Sequence, residues 1–218
     1  MNSERFERLL ESDWQLDLQG VFIKAWELFK SQALLFVAFT LLIFSTAMLF
    51  VVYLQPYTIL FSALLAPPLY AGFYLVANRI SRGESVIYPD FFAGFQYWLI
   101  TVGISLVSQV LTALGLFAFV IPGIYLLVAY MLAVPMGIFG GLDLWTAMEM
   151  SRKLVTRFWW KFFALLLVLI VYNGLGALLF GVGILITFPM TFLVIYVVFE
   201  ELTSEVFSEE KATHEPLS

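Results

Sequence analysis

The chain has 218 residues, 62% of them hydrophobic and 12% charged, with no cysteine and a formal net charge of −5. Soluble domains carry about 25% charged residues, so the composition excludes a soluble globular protein. The missing cysteines exclude disulfide frameworks, thiol nucleophiles and thiolate metal sites. All Asp, Glu, Lys and Arg residues fall into four polar segments, separated by uncharged stretches at 31–78, 91–142 and 162–199. At 1.5 Å of rise per residue, about 20 apolar residues cross a hydrocarbon core of ~30 Å. Each stretch is therefore long enough for two crossings, which predicts an all-α integral membrane protein with six transmembrane helices arranged as three hairpins.

In chain order, residues 1–16 form a polar N-terminal segment. The first ~30 residues are polar or amphipathic and do not read as a signal peptide, so the first span is expected to direct insertion itself. Spans are predicted at about 32–54, 57–78, 97–118, 121–140, 160–180 and 183–199, joined by uncharged turns at 55–57, 119–122 and 181–183. Residues 17–200 form the transmembrane domain. Residues 201–218 read as an acidic, disordered tail, and the pairs Glu200-Glu201 and Glu209-Glu210 as solvated.

An Asp opens an amphipathic segment before each hairpin: Asp17 in DLQGVFIKAWELFK, Asp90 in DFFAGFQYW and Asp143 in DLWTAMEMSRKLVTRFWW. Such an Asp accepts from free backbone N–H groups and complements the helix dipole. In the third segment Leu144, Ala147, Met148, Ser151, Leu154, Val155 and Phe158 share one face, and Glu149–Lys153 is a favourable pair on the other. This helix is expected in the membrane interface, as a topological anchor or as a lipid-sensing element. Units of two crossings repeat in parallel, unlike the inverted repeats of many secondary transporters.

The positive-inside rule places all eleven Lys and Arg, and both termini, in the cytoplasm. Lys24, Lys30, Arg79, Arg82, Arg152, Lys153, Arg157 and Lys161 are candidate contacts to lipid headgroups. Trp14, Trp26, Trp98, Trp145, Trp159 and Trp160 are expected on that same side, at headgroup depth.

Apart from Lys161 at the very start of the fifth, no acid, base or histidine lies within a predicted span, which argues against proton relays, cation-coupled transport and voltage sensing. Gln109 and Asn173 are the intramembrane amides, accompanied by hydroxyls at Ser45, Thr46, Ser105, Ser108, Thr112, Thr187 and Thr191. They read as interhelical hydrogen bonds or as a polar ligand path. Pro67, Pro68, Pro122, Pro135 and Pro189 are candidate helix breaks, since each removes a backbone donor. Gly137 and Gly141 form a GxxxG, and Gly174, Gly176, Gly181 and Gly183 give the last two spans a close-approach surface. No metal cluster, nucleophile elbow or phosphate loop occurs, so no catalytic residue, cofactor or nucleic-acid partner is expected.

Three passages carry a family resemblance: LAPPLYAGFYLVANRISRGE with PDFFAGF, IPGIYLLVAYMLAVP, and AMEMSRKLVTRFWWKFF. With KAWELFK they resemble a group of bacterial six-span proteins. That group includes YciC-like proteins and the membrane domain attached to some glycerophosphodiester phosphodiesterases. The resemblance covers about residues 15–200 and implies a bacterial inner membrane but no particular chemistry. Its matching positions, among them Pro68, Gly72, Arg82, Gly83, Glu84, Pro122, Gly123, Tyr125, Pro135, Ala147 and Ser151, are expected as hinges and contacts. The function expected is non-enzymatic: organising or supporting the envelope through membrane lipids, a membrane-protein partner or a second copy. The alternative is a transporter or scramblase for a neutral or lipidic substrate, using the proline-broken spans 2, 4 and 6.

Overall fold

The structure, a computed structural model, describes residues 14–179 and 181–214, with side chains as far as Thr203. The described residues are helical throughout, without a strand. The helices are α1 (Leu18–Ser31), α2 (Ala33–Val52), α3 (Ala66–Ser81), α4 (Trp98–Ala118), α5 (Val120–Ala129), α6 (Ala133–Phe139), α7 (Leu144–Arg157), α8 (Trp159–Leu178) and α9 (Ile184–His214). Six helical stretches are long and apolar enough to cross a membrane: Ala33–Val52, Gln55–Ser81, Tyr88–Ala118, Val120–Phe139, Trp159–Leu178 and Ile184–Thr203. The chain is a multi-pass membrane protein by this measure.

Lipid is as apolar as leucine, so burial alone drives no association between spans; close packing and small residues do. The centre of the bundle is aromatic accordingly. Phe39 and Phe91 lie 4.7 Å apart between ring centroids, and Phe73 stacks on Phe192 at 5.1 Å. Between α8 and α9, Gly176 lies against Thr187 and Gly183 against the Gly176 backbone, as a close-approach surface requires. Gly174 instead faces open space, and Gly141 sits in a turn at φ 60° outside any helix. The GxxxG is therefore no packing motif, although Gly137 does receive Ile100 and Ile104 of α4.

The second amphipathic segment departs from its sequence reading. Residues Tyr88–Tyr97 form a 3-10 segment lying along α3 and running directly into α4. Glycine permits it: a Cβ at Gly72 would collide with the Phe91 carbonyl, and one at Gly94 with the Pro68 carbonyl. Asp90 is the third residue of this segment rather than its N-cap, and its side chain supplies the returning half of a capping box at Ile87. Its carboxylate accepts from Ile87 N at 2.8 Å and pairs with Arg79. Asp17 and Asp143 do cap, accepting from Gly20 N (3.0 Å) and from Trp145 and Thr146 N (3.1 and 3.2 Å).

The prolines divide. Pro67 and Pro68 open α3, and the turn before them, Phe61–Leu65, widens to a π-helix. Pro135 cannot donate to Met131, and the chain breaks between α5 and α6 at Tyr130–Leu132. Pro122 breaks nothing, because it lies in the first turn of α5, where the missing N–H has no intrahelical partner to lose. Pro189 sits inside α9, which continues through it.

Two of the breaks leave a carbonyl without its usual donor, and each is capped by a side chain from the segment that follows. Pro68 has no N–H for Leu64 O, and Trp98 Nε1 donates to that oxygen at 2.9 Å. Ala133 N turns to Tyr130 O, and Ser151 Oγ donates to Ala129 O at 2.7 Å. Trp98 thus lies beside the interior of the second span.

The apolar face predicted for α7 is buried, but against the protein. Ala147, Met148, Ser151, Leu154 and Val155 pack onto α5 and α6, and Tyr125 bonds Thr156 at 2.7 Å. α9 runs on to His214, into the segment read as the acidic tail, while residues 215–218 and the Glu209 and Glu210 side chains lie outside what is described. Glu200 and Glu201 are engaged, Glu200 by Tyr196 (2.9 Å) and Glu201 by Lys24 (2.6 Å). Tyr196 also receives Asn78 at 3.0 Å and meets Ser81 at 2.8 Å, tying α3 to α9.

Candidate functional site: an uncharged polar groove

A cavity of about 600 Å³ lies between α3, α4, α5 and the Tyr130–Leu132 break. α4 contributes Ser105, Ser108, Gln109 and Thr112, which recur at helical spacing on one face. α3 contributes Tyr70 and Tyr74, and the break contributes Tyr130 and Met131. The groove therefore sits where the Pro67-Pro68 start of α3 and the interruption caused by Pro135 face the same helix. On its rim, Gln109, Ala113, Leu116 and Leu127 are exposed within apolar spans.

Hydrogen bonding separates this stripe from other polar residues in the spans. A Ser or Thr within a helix usually bonds back to a carbonyl of the preceding turn. Thr40, Thr46, Thr101 and Thr191 do so at 2.8 to 3.1 Å. Among the described residues, the side chains of Ser105, Ser108, Gln109 and Thr112 make no hydrogen bond. Ser108 Oγ is buried without a partner, and Tyr74, only 5% exposed, also has none. Thr187, packed on Gly176, is a further unpartnered hydroxyl, away from the groove.

The two sequence-predicted amides part company here. Asn173 Nδ2 donates to Thr191 Oγ1 at 2.7 Å and to Leu169 O at 2.9 Å, an interhelical contact between α8 and α9. Gln109 stays open to the groove. The i, i+3, i+4, i+7 spacing of 105, 108, 109 and 112 is the sequence feature that marks the stripe. The three tyrosines are not marked in that way, because they come from other spans.

The candidate headgroup cations are largely engaged. Lys24 pairs with Glu201, and the hydrogen bond holds its amine above the ordinary lysine value. Arg79 pairs with Asp90 and approaches Glu84 at 3.7 Å. Arg152 makes two 2.8 Å bonds to Glu149, with Lys153 3.6 Å from the same carboxylate. Arg152's hydrogen bonds hold the Glu149 carboxyl below its ordinary range. Lys161 donates to Trp14 O and lies over the Trp14 and Phe158 rings. Lys30, Arg82 and Arg157 remain exposed without a carboxylate partner among the described residues, Arg157 lying 5.6 Å over Phe158. Among the described residues no group of His, Cys, Asp and Glu could hold a metal ion. No protein-family model, curated protein or solved structure matches the chain.

Proposed function

We propose that this is a non-enzymatic membrane protein that works through bilayer lipids and takes a lipidic ligand into the groove beside α4. The observation that carries the reading is the stripe Ser105, Ser108, Gln109 and Thr112, unbonded through its side chains on the helix where Thr101 bonds back to the preceding turn. A polar group left unpaired away from water costs about 1–3 kcal/mol, and a polar ligand head would recover that. Exposed leucines at the rim suit an acyl chain leaving the groove into the bilayer. This favours carriage or scrambling of a lipidic substrate over bulk-lipid contact alone. The charge distribution supports cytoplasmic termini, and the family resemblance is what implies a bacterial inner membrane.

Envelope support through bulk lipid or a membrane-protein partner is the second reading. It draws on the exposed Trp145 and Trp160 at either end of the cationic α7. Transbilayer movement of a fluorescent glycerolipid analogue in proteoliposomes separates the two. The groove reading predicts movement faster than in protein-free vesicles and slowed by Ala113→Trp, which fills the groove. Movement no faster than in empty vesicles contradicts it.

A further inference from the structure

We infer that the ligand of this groove carries an uncharged head with several hydroxyls, of the glycosyl-diacylglycerol kind, and not a phosphate. The inference rests on the groove being a lipid site, as proposed above. Its first support is what lines the site. The seven polar side chains are Tyr70, Tyr74, Ser105, Ser108, Gln109, Thr112 and Tyr130, and none is an acid or a base at neutral pH. A phosphate drawn into an apolar slab needs a paired cation, because an isolated buried charge is far more costly than a buried hydroxyl. Arg152 is not among the lining residues and is already matched by two hydrogen bonds to Glu149.

Number is the second support. A single hydroxyl offers one donor and two lone pairs, too few for these side chains. A head with several hydroxyls can give to Gln109 Oε1 and accept from its amide, while meeting serine, threonine and tyrosine groups that both donate and accept. Ser108 Oγ is buried without a protein partner and Tyr74 is almost fully buried, and both line the groove, so a head would sit against them. The tail has an exit over exposed Leu116 and Leu127, continuous with Leu114 and Phe117, the last 92% exposed.

The test is native mass spectrometry of the purified protein with an equimolar mixture of glucosyl-diacylglycerol, diacylglycerol and phosphatidylglycerol of identical acyl chains. The expected result is one glucosyl-diacylglycerol retained per chain, about tenfold over either competitor. That preference falls by about tenfold in Gln109→Leu, the factor that 1.4 kcal/mol represents. Asn173→Leu, which removes an intramembrane amide outside the groove, leaves retention unchanged. Equal retention of diacylglycerol overturns the requirement for several hydroxyls. Phosphatidylglycerol retained as well as the glycolipid, and lost in Gln109→Leu, overturns the uncharged head while the lipid groove stands. Retention that ignores Gln109 for every lipid overturns both. Gln109 is exposed and leucine suits a span, so the variant is expected to fold.

Discussion

Thr101 and Ser108 lie two turns apart on α4 and meet different fates. Thr101 Oγ1 donates to Tyr97 O and Trp98 O at 3.0 and 3.1 Å and is finished as a hydrogen-bonding group. Ser108 Oγ is as buried but bonds to nothing. The same residue class thus serves structure at one site and leaves capacity for a ligand at the other. Trp98 and Ser151 belong to the structural kind, since each satisfies a carbonyl released at a helix break. Replacing Trp98 with Phe leaves Leu64 O unpaired and is predicted to lower unfolding free energy in detergent by about 1–3 kcal/mol. Ser151→Ala should cost a similar amount, and the double variant should show the sum, because the two caps share no partner. A chemical-denaturation series on the three variants checks this; an unchanged midpoint for both singles would remove the capping role.

At the scale of elements, α7 shows what a hydrophobic face does and does not reveal. The spacing of Ala147, Met148, Ser151, Leu154 and Val155 marks a buried face, and those residues are buried. Periodicity cannot say whether lipid or protein covers such a face, and here α5 and α6 do. The 3-10 segment was less legible, because the contact between Gly94 and the Pro68 backbone joins residues far apart in sequence. Prolines show the same limit: Pro122 and Pro135 are alike as residues, but only Pro135 has helix before it to interrupt.

The stability of α7 should depend on pH. Hydrogen bonding by the Thr146 side chain holds the Asp143 carboxyl below its ordinary value, and Arg152 does the same for Glu149. A carboxyl bound more tightly as the anion contributes its full stabilisation above the ordinary value, 4.5 for Glu149, and loses it as pH falls through the lower folded value. Amide exchange over 144–157, corrected for its intrinsic pH dependence, should therefore rise on acidification below about pH 4.5. Glu149→Gln should diminish that step, and a step unchanged by the substitution would show that Glu149 has no part in it.

For the whole molecule, the charge gaps at 31–78, 91–142 and 162–199 located six apolar helices, whose length and composition the structure supports. Lys placed at Leu166, half-buried in the middle of α8, should cost about 2.5–3.5 kcal/mol of insertion free energy; unaltered expression and reporter topology would argue against α8 as a span. The groove was legible only on its α4 side. Its other walls depend on where the breaks in the second and fourth spans face, which is a matter of tertiary packing. Those breaks bring three tyrosines opposite one polar stripe, and the functional reading depends on that juxtaposition.

The most direct measurement is electron cryomicroscopy of the protein in discs of its native membrane. The account predicts density for one lipid with its head against Tyr74, Ser108 and Gln109 and its chains leaving past Leu116 and Leu127. A groove closed by side chains, or holding only water or the acyl chains of bulk lipid, would contradict it.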